Sequence, residues 1–437
     1  MRAARGPIAL LFASLVIVMV GFGIVLPILP YYVTHFGASG RALGLLISIY
    51  SIMQFVFAPL WGRLSDRLGR KPVLLIGLGG YALAFALQGL AQDLTQLLLA
   101  RAVAGVLSSA TLPTALAYVA DTTPARDRSE GMGLMGAAMG LGMVFGPVLG
   151  GPLTRVVLPL HPTLAALMQR TIEAESGAAL DLSFPFLVSA VLALLSIPLV
   201  VWRLPESLPP GARRSAAGPR PSRARQIGQA LTGPMAFLYL AAFLLAFALA
   251  NLESVLGLYG QDRFALTPTG LGLLMGLIGV LSVIQQALLI GPLTRRFGEV
   301  TVLRAGLALS GVGLIGLALA PHFWQMVVLA AVFGAGNALL RPSVAALISQ
   351  RAETGQGAAM GMENSFLSLG RVAGPLWGGL SYDWIDTAPF WTAAAIQLAA
   401  LALSYRGLGP AAAGQPEADV RTEAAAIPLG GATPGPR

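Results

Sequence analysis

Long apolar runs, nearly free of charge, recur from one end of this chain to the other, and short segments rich in charges and helix breakers separate them. Each run is long enough to cross a bilayer core of roughly 30 Å as a helix, which takes about 20 residues. With breakers and charges as boundaries, the pattern predicts helices near 8–32, 42–62, 72–91, 95–120, 131–153 and 184–203, then near 235–258, 270–293, 301–320, 323–349, 358–380 and 389–405. The expected fold class is therefore an all-α membrane protein of twelve transmembrane helices.

Charge tests that count. Of 28 Lys and Arg, 21 fall at the N-terminus, in the segments after helices 2, 4, 6, 8 and 10, or at the C-terminus. Basic residues collect on the cytoplasmic side of membrane proteins. An even number of spans with both termini cytoplasmic is expected, in a multi-pass protein of the cell membrane. Arg2 and Arg5 before the apolar stretch from Ile8 to Pro30 imitate a signal peptide, but that stretch is too long and no small-x-small cleavage site closes it. It reads as a retained first helix.

Composition narrows the chemistry. The 437 residues are 56% hydrophobic and 11% charged, against about 25% charged in soluble domains. No cysteine is present, so disulfides, thiolate metal sites and cysteine nucleophiles are excluded. His35, His161 and His322 are scattered and offer no metal-ligand spacing. The net charge of +9 lies between the apolar runs, which argues against nucleic acid as a partner. No Walker A sequence appears, so ATP is not the energy source and no cofactor is implied.

The chain repeats itself. Gly62-Arg-Leu-Ser-Asp-Arg-Leu-Gly69 is echoed by Gly291-Pro-Leu-Thr-Arg-Arg-Phe-Gly298, and Gly105 and Pro113 return as Gly334 and Pro342. The series Gly133, Gly142, Gly146, Pro147, Gly150, Gly151 recurs with the same spacing as Gly361, Gly370, Gly374, Pro375, Gly378, Gly379. Two six-helix bundles of the same orientation are predicted, residues 1–203 and 234–405, joined by a Pro/Gly/Ser/Arg-rich cytoplasmic linker, 204–233. A disordered cytoplasmic tail, 406–437, follows the second. Parallel repeats of this kind describe a rocking transporter with its site between the halves. The outer segment 154–182 is expected to hold a short helix over 162–174.

These motifs resemble the major facilitator superfamily, and within it the twelve-helix drug:proton antiporters of the multidrug and tetracycline type. Gly62-Arg-Leu-Ser-Asp66-Arg67-Leu-Gly69-Arg70-Lys71 is similar to that family's loop between helices 2 and 3, which implies a conformational latch. Gly133 through Gly151 is similar to the antiporter motif of helix 5. Arg101 with Gly105 matches the helix 4 motif, whose Arg is implicated in proton coupling. Gly21 through Tyr31 resembles the end of helix 1 in these exporters. One feature departs from the pattern: Val16-Ile-Val-Met-Val20 carries no acid, and the membrane interior of the first half has none.

Charges inside the bilayer are costly and usually face a cavity or a partner. Five stand out: Arg101, Glu253, Arg341, Glu363 and Arg371. Arg341 and Glu363 lie at matching depths on adjacent helices, so a structural ion pair is expected. Glu253, in the outer third of helix 7, shows no basic partner on a neighbouring helix of its own half, and Arg101 lies at similar depth in helix 4. The two are expected to face each other across the cavity, Glu253 as the proton carrier. Gln54, Tyr239, Phe243, Asn251, Gln285, Asn337, Asn364 and Trp377 are candidates to line a greasy substrate pocket. The expected function is export of lipophilic, drug-like small molecules in exchange for protons by alternating access, by a monomer. The alternative is a metabolite exporter or facilitator of the same fold. A membrane enzyme would need clustered His, Asp or Ser nucleophiles, and a channel a selectivity filter; neither is visible.

Overall fold

The structure is a computed structural model that describes residues 2–124, 127–156, 171–173, 179–208, 228, 230–233, 235–352 and 356–408. The linker from 209 to 227 and the tail beyond 408 lie outside the described residues. In the first half, α1 (Arg2–Val25) and α2 (Leu29–His35) form the first span and α3 (Gly40–Leu68) the second. They are followed by α4 (Arg70–Gly89), the pair α5 (Leu94–Ser108) and α6 (Thr111–Thr122), α7 (Arg128–Leu153) and α8 (Phe184–Arg203). In the second half come α9 (Ala236–Phe264), α10 (Pro268–Leu288), the short α11 (Ile290–Phe297), α12 (Glu299–Leu319), α13 (Phe323–Gln350), α14 (Gln356–Tyr382) and α15 (Ala388–Gly407).

Among the described residues, eleven spans are long and apolar enough to cross a membrane. The twelfth expected span is α14, equally long but made more polar by Glu363, Asn364 and Arg371. Prolines explain where spans break. The interruptions at Leu26, Ser109 and Leu289 each fall three or four residues before Pro30, Pro113 or Pro292, where a proline ring crowds the preceding turn and removes its donor.

Two expectations change. The predicted helix over 162–174 is not found in its described part: Thr171–Glu173 is a strand, β1, paired antiparallel with β2 (Ala179–Asp181). And the segment from Gly62 to Lys71 is scarcely a loop. Helix α3 runs to Leu68 and α4 starts at Arg70, leaving Gly69 as the single junction residue, with φ of 108°. That conformation belongs almost exclusively to glycine. Gly298 repeats the device with φ of 77° between α11 and α12.

The repeat is visible in the packing. α7 lies along α1 as α14 lies along α9. Gly142, Gly146 and Gly150 abut the backbone of α1 at Met19, Gly23 and Ile24. Gly370, Gly374 and Gly378 abut α9 at Phe243, Phe247 and Asn251. The next glycine in each series turns to the other half: Gly151 meets Pro268 and Thr269, and Gly379 meets Gly40. Gly133 and Gly361 face open space.

The two halves meet at the arginine-poor end, where α2–α3, α9–α10 and α14–α15 are joined. There α3 crosses α14, and α7 crosses α10. The Tyr31 hydroxyl donates to the Leu266 carbonyl across the boundary. The largest apolar core, from Leu15 and Tyr32 to Leu252 and Tyr259, runs through both halves. Toward the arginine-rich end the second half has a separate core of its own, built from Leu245, Leu303, Leu340 and Phe366 among others. The molecule is closed at one end and parted at the other.

Candidate functional site

Five charged residues stand inside membrane-spanning helices, Arg101 in the first half and Glu253, Arg341, Glu363 and Arg371 in the second. Glu253 on α9 and Arg371 on α14 are enclosed on most sides by protein and still exposed. Their helices pack along each other, and each feels the other's charge. Arg371 also senses Tyr50 of the first half and Arg341 of α13, and one turn on from it Pro375 meets Gly44 of the first half. Arg341 is exposed. Glu363, two helical turns from Arg371 on α14, is buried at 3% exposure and feels Arg341. At about 1.5 Å per residue, Glu363 and Arg371 are roughly 12 Å apart along the axis. The charges thus form a file leading inward from the arginine-rich end.

This arrangement corrects two expectations. Glu253 has a basic neighbour in its own half, Arg371, and is not brought together with Arg101. Arg371 shares a helix face with Gly374 and Gly378, which abut α9, so the glycine stripe was the signal that could have found it. Arg341 and Glu363 influence each other without a contact ion pair, because Arg341 extends into open space while Glu363 is buried. Glu363 also acts on Tyr239, which stacks on Phe366 at 5.6 Å.

Arg101 is a first-half residue, buried at 3% exposure, with its guanidinium 5.7 Å from the centre of the Tyr50 ring. That ring is also 5.6 Å from Phe22, and its hydroxyl lies 3.2 Å from Ser108 Oγ. Gly105 allows α5 to rest on α3, since a side chain there would strike the Tyr50 carbonyl. Arg101 Nε has no hydrogen-bond partner. With Nε unpartnered, the buried guanidinium is incompletely satisfied beside the aromatic face.

The eight pocket candidates do not form one group. Gln54 is half-buried and donates to Tyr50 at 3.5 Å, and Asn364 is exposed and donates to Met360 at 3.2 Å. Phe243 stacks with Phe247 at 5.9 Å, one turn from Tyr239. Gln285 and Asn337 each leave a side-chain oxygen unpartnered in the interior. Asn251 instead ties α9 to the Pro389 carbonyl at 2.9 Å, and Trp377 donates to Thr392 at 2.9 Å. Both belong to packing against α15.

The Gly62–Lys71 segment is bound within its own half. Arg70 pairs with Asp66 at 2.7 Å and with Asp121 at 2.8 Å. The backbone N–H groups of Arg70 and Lys71 donate to Glu206 at 2.8 and 3.1 Å, and Lys71 Nζ donates to the Val201 carbonyl at 2.8 Å. Glu206 thereby caps α4, a favourable site for a carboxylate. Gly62 joins the network through its carbonyl, which accepts the Ser65 hydroxyl at 2.8 Å, and that hydroxyl oxygen accepts from Arg70 at 2.7 Å; the exposed Arg67 takes no part in the described contacts. The second half carries the same contact in altered form: Gln350, at the repeat position of Asp121, donates to Glu299, at the position of Arg70, at 3.1 Å.

Among the described residues no cluster of His, Asp and Glu is arranged to hold a metal. The comparisons with known proteins agree with the architecture. The family model for the Major Facilitator Superfamily matches residues 11–289 and again 286–432. Multidrug resistance protein 1 of Bacillus subtilis is 29% identical over 92% of this chain and 97% of its own length. The class C tetracycline resistance protein of Escherichia coli is 33% identical over 82% of this chain and 85% of its own. Among solved structures, a bacterial homolog of the human lysosomal transporter Spinster, in an inward-facing and occupied conformation, superposes with a TM-score of 0.71 at 13% identity, covering 92% of this chain and 96% of that one. Twice-matched family, duplicated six-span halves and a parted interface lined with charge lead to one conclusion: this multi-pass membrane protein belongs to the Major Facilitator Superfamily.

Proposed function

We propose that this chain exports lipophilic, drug-like small molecules in exchange for protons, by alternating access between two rocking halves. The observation that carries the reading is a file of charges, with Glu253, Arg341 and Arg371 exposed and Glu363 buried, in an interface closed at one end only. Relatives of this chain are named for multidrug and tetracycline resistance, which favours drug-like cargo over a metabolite. The arginine-rich end is assigned to the cytoplasm, with both termini there, so the conformation described opens inward.

Glu253 is assigned the proton. A carboxylate beside a guanidinium stays ionised readily, and one left without it in a low-dielectric setting takes up a proton. Arg371 is within electrostatic reach of both Glu253 of its own half and Tyr50 of the other. Rocking therefore alters the surroundings of the Glu253–Arg371 pair, and cargo in the cleft does so by displacing water. Arg101 acts on the same place through Tyr50, which its charge also reaches. The network around Arg70 holds α3, α4, α6 and α8 together as one moving body, the role assigned to the latch residues.

The test is proton release from everted, energised membrane vesicles when tetracycline or another lipophilic drug is added. Wild-type protein releases protons and Glu253→Gln loses at least about tenfold of that response, while still folding and binding drug. Undiminished release by Glu253→Gln removes the assignment of the carrier, and no drug-dependent release by wild type removes the exporter.

A further inference from the structure

The arginine-poor end contains a bond of a different kind from the surrounding apolar packing. Asp383 directly follows α14 in the second half. Its Oδ1 accepts the Gly40 N–H at 2.8 Å, and its Oδ2 accepts the Arg41 N–H at 3.1 Å. The same Oδ2 lies 3.2 Å from Arg41 Nε. Gly40 and Arg41 are the first two residues of α3, in the first half. The ordinary capping position before them is Ser39, and its side chain caps nothing. Of the free donors that open every helix, the first two are here satisfied from the opposite bundle.

The local sequence is fitted to this contact. A side chain at Gly40 would stand 2.8 Å from Asp383 Oδ1 and 3.0 Å from the Gly379 carbonyl. One at Gly379 would run into the Gly40 carbonyl, and one at Gly44 into that of Pro375. The three glycines let the end of α14 reach the start of α3. The related crossing of α7 and α10 lacks the bond. There α10 is capped by its own Thr267, whose hydroxyl accepts the Gly270 N–H at 3.3 Å, and the repeat position of Asp383 holds Arg155. Glu206 shows what such a cap does inside a single half, where nothing needs to part.

We infer that Asp383 is the gate-holding residue of the transport cycle: its carboxylate clasps the start of α3 across the moving boundary and so favours the state closed at the arginine-poor end. The inference rests on the alternating-access reading proposed above. Opening that end must separate α14 from α3, and the three contacts break together. Asp383 touches neither the charge file nor the cleft, so it acts through the equilibrium between states and not through cargo or proton.

The chain has no cysteine, so paired spin labels can be placed without background. Gln92 and Ile385 are both exposed at this end, one in each half. Labels at Gln92→Cys and Ile385→Cys in lipid, with and without tetracycline, report the separation by pulsed electron paramagnetic resonance. Two separations are expected in the otherwise wild-type chain. Asp383→Asn and Asp383→Ala should each raise the long-to-short ratio about tenfold, and Asp383→Glu should change it less. Adding Ser39→Asp to Asp383→Asn supplies an in-chain cap. It should restore melting temperature and leave the ratio shifted, because the cap no longer crosses the boundary. Unchanged ratios in both Asp383→Asn and Asp383→Ala, or a ratio restored by Ser39→Asp, overturn the clasp while alternating access stands. One fixed separation in the wild-type chain under every condition overturns alternating access itself, and the clasp with it.

Discussion

The glycines of the duplicated motif provide a sharp test of how the helices are held, because residues of one motif occupy opposite environments. At Gly146 an added Cβ would lie 2.6 Å from the Gly23 carbonyl carbon and 2.8 Å from the Ile24 nitrogen. At Gly374 it would lie 2.5 Å from the Phe247 carbonyl oxygen and 2.9 Å from the Asn251 nitrogen. All four neighbours are backbone and cannot rotate away, so α1 or α9 must retreat by about 0.5–1 Å to restore ordinary contact. Overpacking of that kind costs about 1–3 kcal/mol. Gly133 and Gly361 meet nothing within 4 Å, and alanine there removes a helix-weakening residue worth up to about 1 kcal/mol. Gly146→Ala and Gly374→Ala should therefore lower the melting temperature in detergent and slow drug export. Gly133→Ala and Gly361→Ala should leave both unchanged or raise the former. Equal damage from Gly133→Ala and Gly146→Ala would refute close packing as the reason for the motif and point to backbone flexibility instead.

Two further outcomes follow from single residues. Gly69→Ala forces a side chain into a backbone conformation costing about 1–3 kcal/mol and drives it against Glu206, 2.5 Å away; a markedly lower melting temperature is expected, and an unaltered one contradicts the one-residue junction. Tyr31→Phe removes the hydroxyl that reaches Leu266 across the boundary, so the closed arginine-poor end should weaken by about 0.5–1.5 kcal/mol, read as a severalfold shift in the same spin-label distances.

Much of the architecture was legible because membrane helices announce themselves by composition and duplicated halves by repetition. The one span too polar to qualify by composition, α14, is the one that brings Glu363 and Arg371 into the interface. The individual charges were legible, but their partners less so. Glu253 looked solitary because α9 and α14 are over a hundred residues apart in sequence, and only their packing brings Arg371 alongside. Matching depth predicts the Arg341–Glu363 pairing, but depth along two helices says nothing of their rotation, and the structure leaves Arg341 exposed while Glu363 is buried. Asn251 and Trp377 looked like pocket residues by type and are consumed by α15. Asp383 carried no motif at all; its role arises from where the end of one half meets the beginning of a helix in the other.

The central claim is that two rigid halves pivot so that one end parts as the other closes. Labels at Arg63→Cys and Pro292→Cys, repeat-related exposed positions at the arginine-rich end, complement the Gln92–Ile385 pair at the opposite end. Recording both distances in lipid as tetracycline and a proton gradient are applied tests the claim most directly. The account predicts reciprocal change, one separation lengthening as the other shortens. Distances that rise and fall together, or that do not respond at all, would contradict it.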